Sequence, residues 1–222
     1  MENILFLAYV EADGSLAKGA METLGATQEI ASALAAKFSV GLIGGEVQAA
    51  ANAVAACGAE KFYGVAGPEF AQARYATDAA AAESICKATG PTLVLAAANS
   101  RSSRVLAGVA HRVGGKIETH VTGVSTEAGT VTVTRWYYRQ RMEAVLSRAA
   151  RPWIIAMDGG CHTAFAGAAG TANVEMVAAS AIARTQVTGV RAPKADEQTI
   201  RPDAKLLFVA GAGWTKKQAD GQ

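Results

Sequence analysis

Only three cysteines, Cys57, Cys86 and Cys161, occur in the 222 residues. Their odd number and wide spacing exclude a disulfide framework and fit a reducing compartment. Aromatic residues make up just 6% of the chain, which leaves little surface for stacking on exposed bases. Neither sign of charge dominates, since 21 basic residues face 19 acidic ones for a formal net charge of +2. That near balance argues against a general polyanion binder, and so against nucleic acid as a partner. Long apolar runs are missing too, with no stretch approaching the roughly 18 apolar residues of a membrane span. The first apolar run, residues 4–10, is closed by Glu11 and Asp13 and has neither a basic leader nor a cleavage-like tail, so it reads as a strand and not as a signal peptide. A cytoplasmic protein without membrane insertion is the expectation. What is present is a chain half hydrophobic and 18% charged, enough to bury a substantial core in one domain or one domain with an appendage.

Residues 4–8 are continuously apolar, the pattern of a parallel strand covered on both faces. Residues 20–37 then place Met21, Leu24, Ile30 and Leu34 on one helical face. The alternation recurs as strand 39–43, helix 47–57, strand 61–65, helix 75–89, strand 92–97 and helix 104–113. Four strand-then-helix units predict an α/β fold, a mainly parallel sheet with helices on both faces and right-handed crossovers. The second half changes character. Residues 117–124 and 130–137 are rich in threonine and valine, with Glu127-Ala128-Gly129 between them, and read as a β-hairpin extension. Residues 142–146 and 152–157 add two strands, 159–170 is too rich in glycine and alanine to assign, and 173–179 reads as extended. The prolines and charges of 191–202 resemble a linker, and 205–210 begins another apolar strand that ends in Gly211-Ala212-Gly213-Trp214. A strand followed by a glycine turn ordinarily launches a helix in a nucleotide-binding unit. The expected organisation is therefore a first domain over 1–190, a linker over 191–204, and the severed start of a second domain over 205–222.

The order of these segments resembles the electron-transfer flavoprotein α subunit over nearly the whole chain. The resemblance is carried by Ile4-Leu5-Phe6-Leu7-Ala8 with Asp13-Gly14-Ser15-Leu16, by Gly58-Ala59-Glu60-Lys61, and by the block 93–98, Asn99-Ser100, 104–113 and 117–124. It continues in Ile182-Ala183-Arg184-Thr185-Gln186-Val187 and in 206–213. It implies a fold of the adenine nucleotide alpha hydrolase type and a scaffold role without catalytic residues of its own. It also implies a heterodimer with the β subunit, and one FAD passing electrons from flavin-dependent dehydrogenases to a quinone reductase. The FAD would be held mostly by the second domain, whose glycine turn corresponds here to Gly211, Gly213 and Trp214. This turn lacks the family's arginine. Arg135-Trp136-Tyr137-Tyr138-Arg139-Gln140-Arg141 and Asp158-Gly159-Gly160-Cys161-His162 also replace the blocks expected at their positions, which marks a divergent branch.

Three other features bear on chemistry. Asn99-Ser100-Arg101-Ser102-Ser103-Arg104 lies where a strand end meets a helix start, so Ser100, Ser102 and Arg104 are candidates for holding an anion such as a phosphate. The plainer reading is a serine cap with arginines facing water. The alternative is a stand-alone AMP- or ATP-binding module, since open parallel sheets bind ligands beyond their strand carboxyl ends. Asp158, Cys161 and His162 invite a metal site or a Cys–His nucleophile. They lack metal-ligand spacing, so a loop role is preferred and neither a metal nor a catalytic residue is expected. Arg135, Arg139, Arg141, Arg148 and Arg151, interleaved with Trp136, Tyr137 and Tyr138, form either a subunit interface or a solvated strand face.

Overall fold

The computed structural model of the protein describes residues 2–189, 191, 206–209, 211 and 213. The chain divides into two units, Met1–Gln186 and Val187–Gln222. Every α-helix and strand among the described residues lies in the first.

That unit is an α/β fold built on strands β1 (Asn3–Tyr9), β2 (Lys37–Gly44), β3 (Lys61–Ala66), β4 (Leu93–Ala97), β5 (Lys116–Glu127), β6 (Thr130–Tyr137), β7 (Met142–Ser147), β8 (Trp153–Met157) and β9 (Val174–Met176). They form one nine-stranded sheet in the order β7-β6-β5-β8-β4-β1-β2-β3-β9. From β5 to β9 the neighbours run parallel, while β6 and β7 are antiparallel additions at one end. Strands β4 and β8 are buried along their whole length, as strands covered on both faces must be.

Helices α1 (Lys18–Ala33) and α2 (Gln48–Ala53) cover one face and α3 (Tyr75–Thr89) and α4 (Ser100–Arg112) the other. Right-handed crossovers explain the division. The chain moves outward through β1, β2 and β3, then reverses to β4, and the reversal sends the later helices to the opposite face. Alternation along β1 follows suit, with Ile4, Phe6 and Ala8 packed under α1 and α2 and with Leu5, Leu7 and Tyr9 under α3 and α4. Gly41 of β2 lets α3 come close, because a Cβ there would lie 2.8 Å from Ile85 Cγ2.

The predicted hairpin is β5–β6. Its turn is made by Ala128 and Gly129, both left-handed at φ 48° and 77°, the geometry of a tight two-residue connection. The parallel strand 152–157 and the extended stretch 173–179 appear as β8 and β9, and 142–146 as β7. Some boundaries differ. The helix expected over 20–37 ends at Ala33, because Ala35 turns left-handed at φ 46° and the Ala36 amide closes back on the Ala31 carbonyl. The helix expected from Arg104 begins at Ser100, four residues earlier. Helix 47–57 is a short α2 followed by a 3-10 turn over Ala55–Cys57. In the second unit, residues 206–209 have no strand geometry and are exposed. Of the expected linker 191–204, only Arg191 falls within the described residues.

Candidate functional site

In an open parallel sheet the crevice for ligands lies beyond the carboxyl ends of the strands where the chain reverses. Here that point lies between β1 and β4. The cavity bounded there by Leu7, Ala8, Tyr9, Ala20, Ala97, Asn99 and Ser102 measures only about 10 Å³, room for no more than about one water.

The adjoining start of α4 is closed by its own residues. Asn99 is the cap, its Oδ1 accepting from the amides of Arg101 at 3.0 Å and Ser102 at 2.9 Å. The Ser102 hydroxyl accepts from the Asn99 amide at 3.3 Å and donates to the Ala97 carbonyl. This capping box occupies the donors that an anion would use. Of the predicted anion residues, Ser102 is buried in the cap, whereas Arg104 folds back so that its Nε donates to the Ser100 carbonyl at 3.1 Å. Ser100, Ser102 and Arg104 therefore do not converge on one point. The cap is asparagine, not serine.

Arg101, which the plainer reading placed in water, is held inside. Its Nε and Nη2 donate to Asp78 Oδ2 and Oδ1 at 2.9 and 2.7 Å, and Nη2 also reaches the Phe70 carbonyl at 2.6 Å. The guanidinium sits 4.6 Å from the centre of the Tyr9 ring. Asp78, in the first turn of α3 and 1% exposed, also accepts from the Arg74 amide at 3.1 Å. Burial and then the nearby Asp78 charge push the Tyr9 hydroxyl far above its ordinary pKa, so it stays protonated and donates to the Asp78 carbonyl at 3.3 Å.

The five-arginine cluster splits in two. Glu118 of β5, 1% exposed, accepts from both Arg135 and Arg148. Arg151 pairs with Glu2, its Nε donating to Oε1 at 3.0 Å. The Arg151 hydrogen bond holds the Glu2 carboxyl below its usual pKa, partial burial opposes it, and the Thr92 hydroxyl helps. Three of the arginines are thus internal clamps. Arg139 and Arg141 make no ion pair among the described residues and stand at the β6–β7 turn beside Tyr138, 72% exposed.

That turn is unusual. Tyr138, Arg139 and Gln140 are all left-handed, at φ 47°, 58° and 63°, a conformation costing non-glycine residues on the order of 1–2 kcal/mol each. A cavity of about 590 Å³ opens there, lined by His120, Arg135, Trp136, Tyr137, Tyr138, Arg139 and Gln140.

Asp158 and His162 are likewise drawn to separate partners. His162 Nε2 lies 2.9 Å from Glu29 Oε2 on α1, and Nδ1 lies 3.1 Å from the Thr163 carbonyl. Asp158 faces His120 at 3.5 Å instead. Burial would lower the His162 pKa, but the Thr163 and Glu29 acceptors outweigh it and raise the value. Cys161 is exposed, and burial together with the charges of Asp158 and Glu22 pushes its thiol up, the reverse of an activated nucleophile. All three cysteines are free. Among the described residues no group of three His, Cys, Asp or Glu side chains is placed to hold a metal ion, and no helix is long and apolar enough to cross a membrane.

The segment 161–165 lies across α1 as a strap. The Phe165 amide donates to the Met21 carbonyl at 2.9 Å, and a Cβ on Gly25 would come 2.3 Å from the Thr163 carbonyl oxygen. In the second unit Gly211 and Gly213 are exposed, and Trp214 lies outside the described residues.

Against this geometry stand the comparisons with known proteins. The family model described as the electron transfer flavoprotein domain matches residues 4–182. Comparison with curated proteins gives no match.

Proposed function

The chain belongs to the electron transfer flavoprotein domain family, and from that premise we propose that it is the first domain of an α-type subunit. Its role is that of scaffold and subunit interface for electrons drawn from flavin-dependent dehydrogenases and passed toward a quinone reductase. In this reading it works in the cytoplasm, joined to a β-type partner. FAD is held mainly by a second domain to which residues 205–222, with Gly211, Gly213 and Trp214, belong.

The observation that carries the reading is the use of the polar groups in the first unit. Asn99, Ser102, Asp78, Arg101 and Tyr9 bond one another at the strand ends, where a ligand-binding α/β domain would keep donors free. The crevice of about 10 Å³ does not fit a flavin or a nucleotide. The same volume disfavours a stand-alone AMP- or ATP-binding module at the switch point. What the unit does offer outward is β5–β6–β7, with Tyr138, Met142 and Val145 exposed near Arg139 and Arg141, which have no ion-pair partner among the described residues. Arginine and tyrosine are residue types enriched at binding hot spots.

The test is association. The chain and a β-type subunit from the same genome, mixed and run on size-exclusion chromatography with light scattering, are expected to elute as a one-to-one complex. Independent elution at micromolar concentrations would remove the interface role.

A further inference from the structure

The cavity at the β6–β7 turn has features that a subunit interface does not require. Its volume of about 590 Å³ falls in the range of small-molecule sites, roughly 300–1,000 Å³. Six non-glycine residues of the described chain have left-handed φ, and four of them, His120, Tyr138, Arg139 and Gln140, line this one cavity. Backbone strain gathered in this way is a mark of functional sites, where the surroundings over-determine a costly conformation.

The lining chemistry names the class of ligand. Arg135 lies 4.2 Å from the centre of the Tyr137 ring and shares the one Glu118 carboxylate with Arg148, so that group keeps one positive charge in excess. His120 is engaged with Asp158. The Arg139 guanidinium has no ion-pair partner among the described residues and lines the cavity with Trp136, the half-buried Tyr137 and the exposed Tyr138. Planar cations in excess over carboxylates, beside aromatic rings, suit a ligand that is flat enough to stack and carries a negative charge. We propose that this cavity binds a small planar aromatic anion, a ring compound bearing a phosphate or carboxylate. The site is separate from the strand-end crevice and does not depend on the subunit role.

Isothermal titration of the full chain with AMP, adenosine and inorganic phosphate, in low salt, separates ring from charge. AMP is expected to bind one-to-one, adenosine at least about tenfold more weakly, and phosphate not measurably, since one charge-assisted hydrogen bond is worth about tenfold or more. Arg139→Gln and Tyr138→Leu are each expected to weaken AMP by about tenfold with unchanged thermal midpoints. Arg141→Gln, outside the lining, is expected to change it by less than about twofold. No AMP binding to the unaltered chain overturns the proposal. So does equal weakening by Arg141→Gln, which would mark a diffuse basic patch. Tip variants that abolish association with the β-type partner while leaving AMP binding intact also overturn it, and would assign the cavity to a protein side chain.

Discussion

Arg101 and Asp78 show how much of this protein is decided by single side chains. Asp78 is 1% exposed and among the described residues Arg101 is its one ion-pair partner, so removing the guanidinium leaves a carboxylate out of water with the Arg74 amide to hold it. Breaking a buried pair in this way costs about 3–5 kcal/mol. Arg101→Met is therefore expected to lower the unfolding free energy from urea titration by that amount at neutral pH, whereas Arg101→Met combined with Asp78→Leu regains most of the loss. A double variant as unstable as the single one would show that packing and not charge governs the site. His162 gives a pH-dependent counterpart. Its pKa is raised in the folded protein, so the fold binds that proton more tightly than the unfolded chain does. The stabilisation is complete below the unfolded value of about 6.5 and fades as pH climbs through the folded value. Thermal melts of the unaltered chain and His162→Gln are expected to differ most near pH 5.5 and to converge toward pH 8. A gap independent of pH would mean the imidazole acts only by its shape.

At the scale of elements, the strap over α1 is the contact most sensitive to one atom. Alanine at position 25 gains about 1 kcal/mol of helix propensity, yet its Cβ would strike the Thr163 carbonyl at 2.3 Å, and overpacking of that kind costs about 1–3 kcal/mol. Gly25→Ala is expected to be destabilising on balance and to speed limited proteolysis within 159–173, because the bond from the Phe165 amide to Met21 must open. Unchanged cleavage would show that the strap is held elsewhere. The elements themselves were largely readable from the sequence, because runs such as 4–8 and 93–97 can only be doubly covered strands and the threonine-rich 117–137 has its turn residues in place. The anchoring pairs were not. Arg101 and Asp78 are 23 residues apart, and Glu118 reaches arginines 17 and 30 residues on. The available signal was slight, an acid in the first turn of one helix and an arginine in the first turn of the next. For Glu118 it was a carboxylate at an inward position between Ile117 and the arginines of the hairpin. The left-handed turn over 138–140 was hidden for the same physical reason that makes it notable, since no glycine announces it.

At the scale of the whole molecule, the chain's division into Met1–Gln186 and Val187–Gln222 puts the core in the first unit, and the family match over 4–182 covers the same ground. Within that core one strand arrives out of turn. β8 follows β5, β6 and β7 in sequence but lies between β4 and β5 in space, so its five residues are the bridge between the helix-covered half of the sheet and the hairpin half. During synthesis the pairings that join the two halves cannot form until Met157 has left the ribosome. Nascent chains stalled before Trp153 should therefore be digested readily in both halves, and resistance should arise abruptly, for the whole region at once, a few residues after that strand emerges.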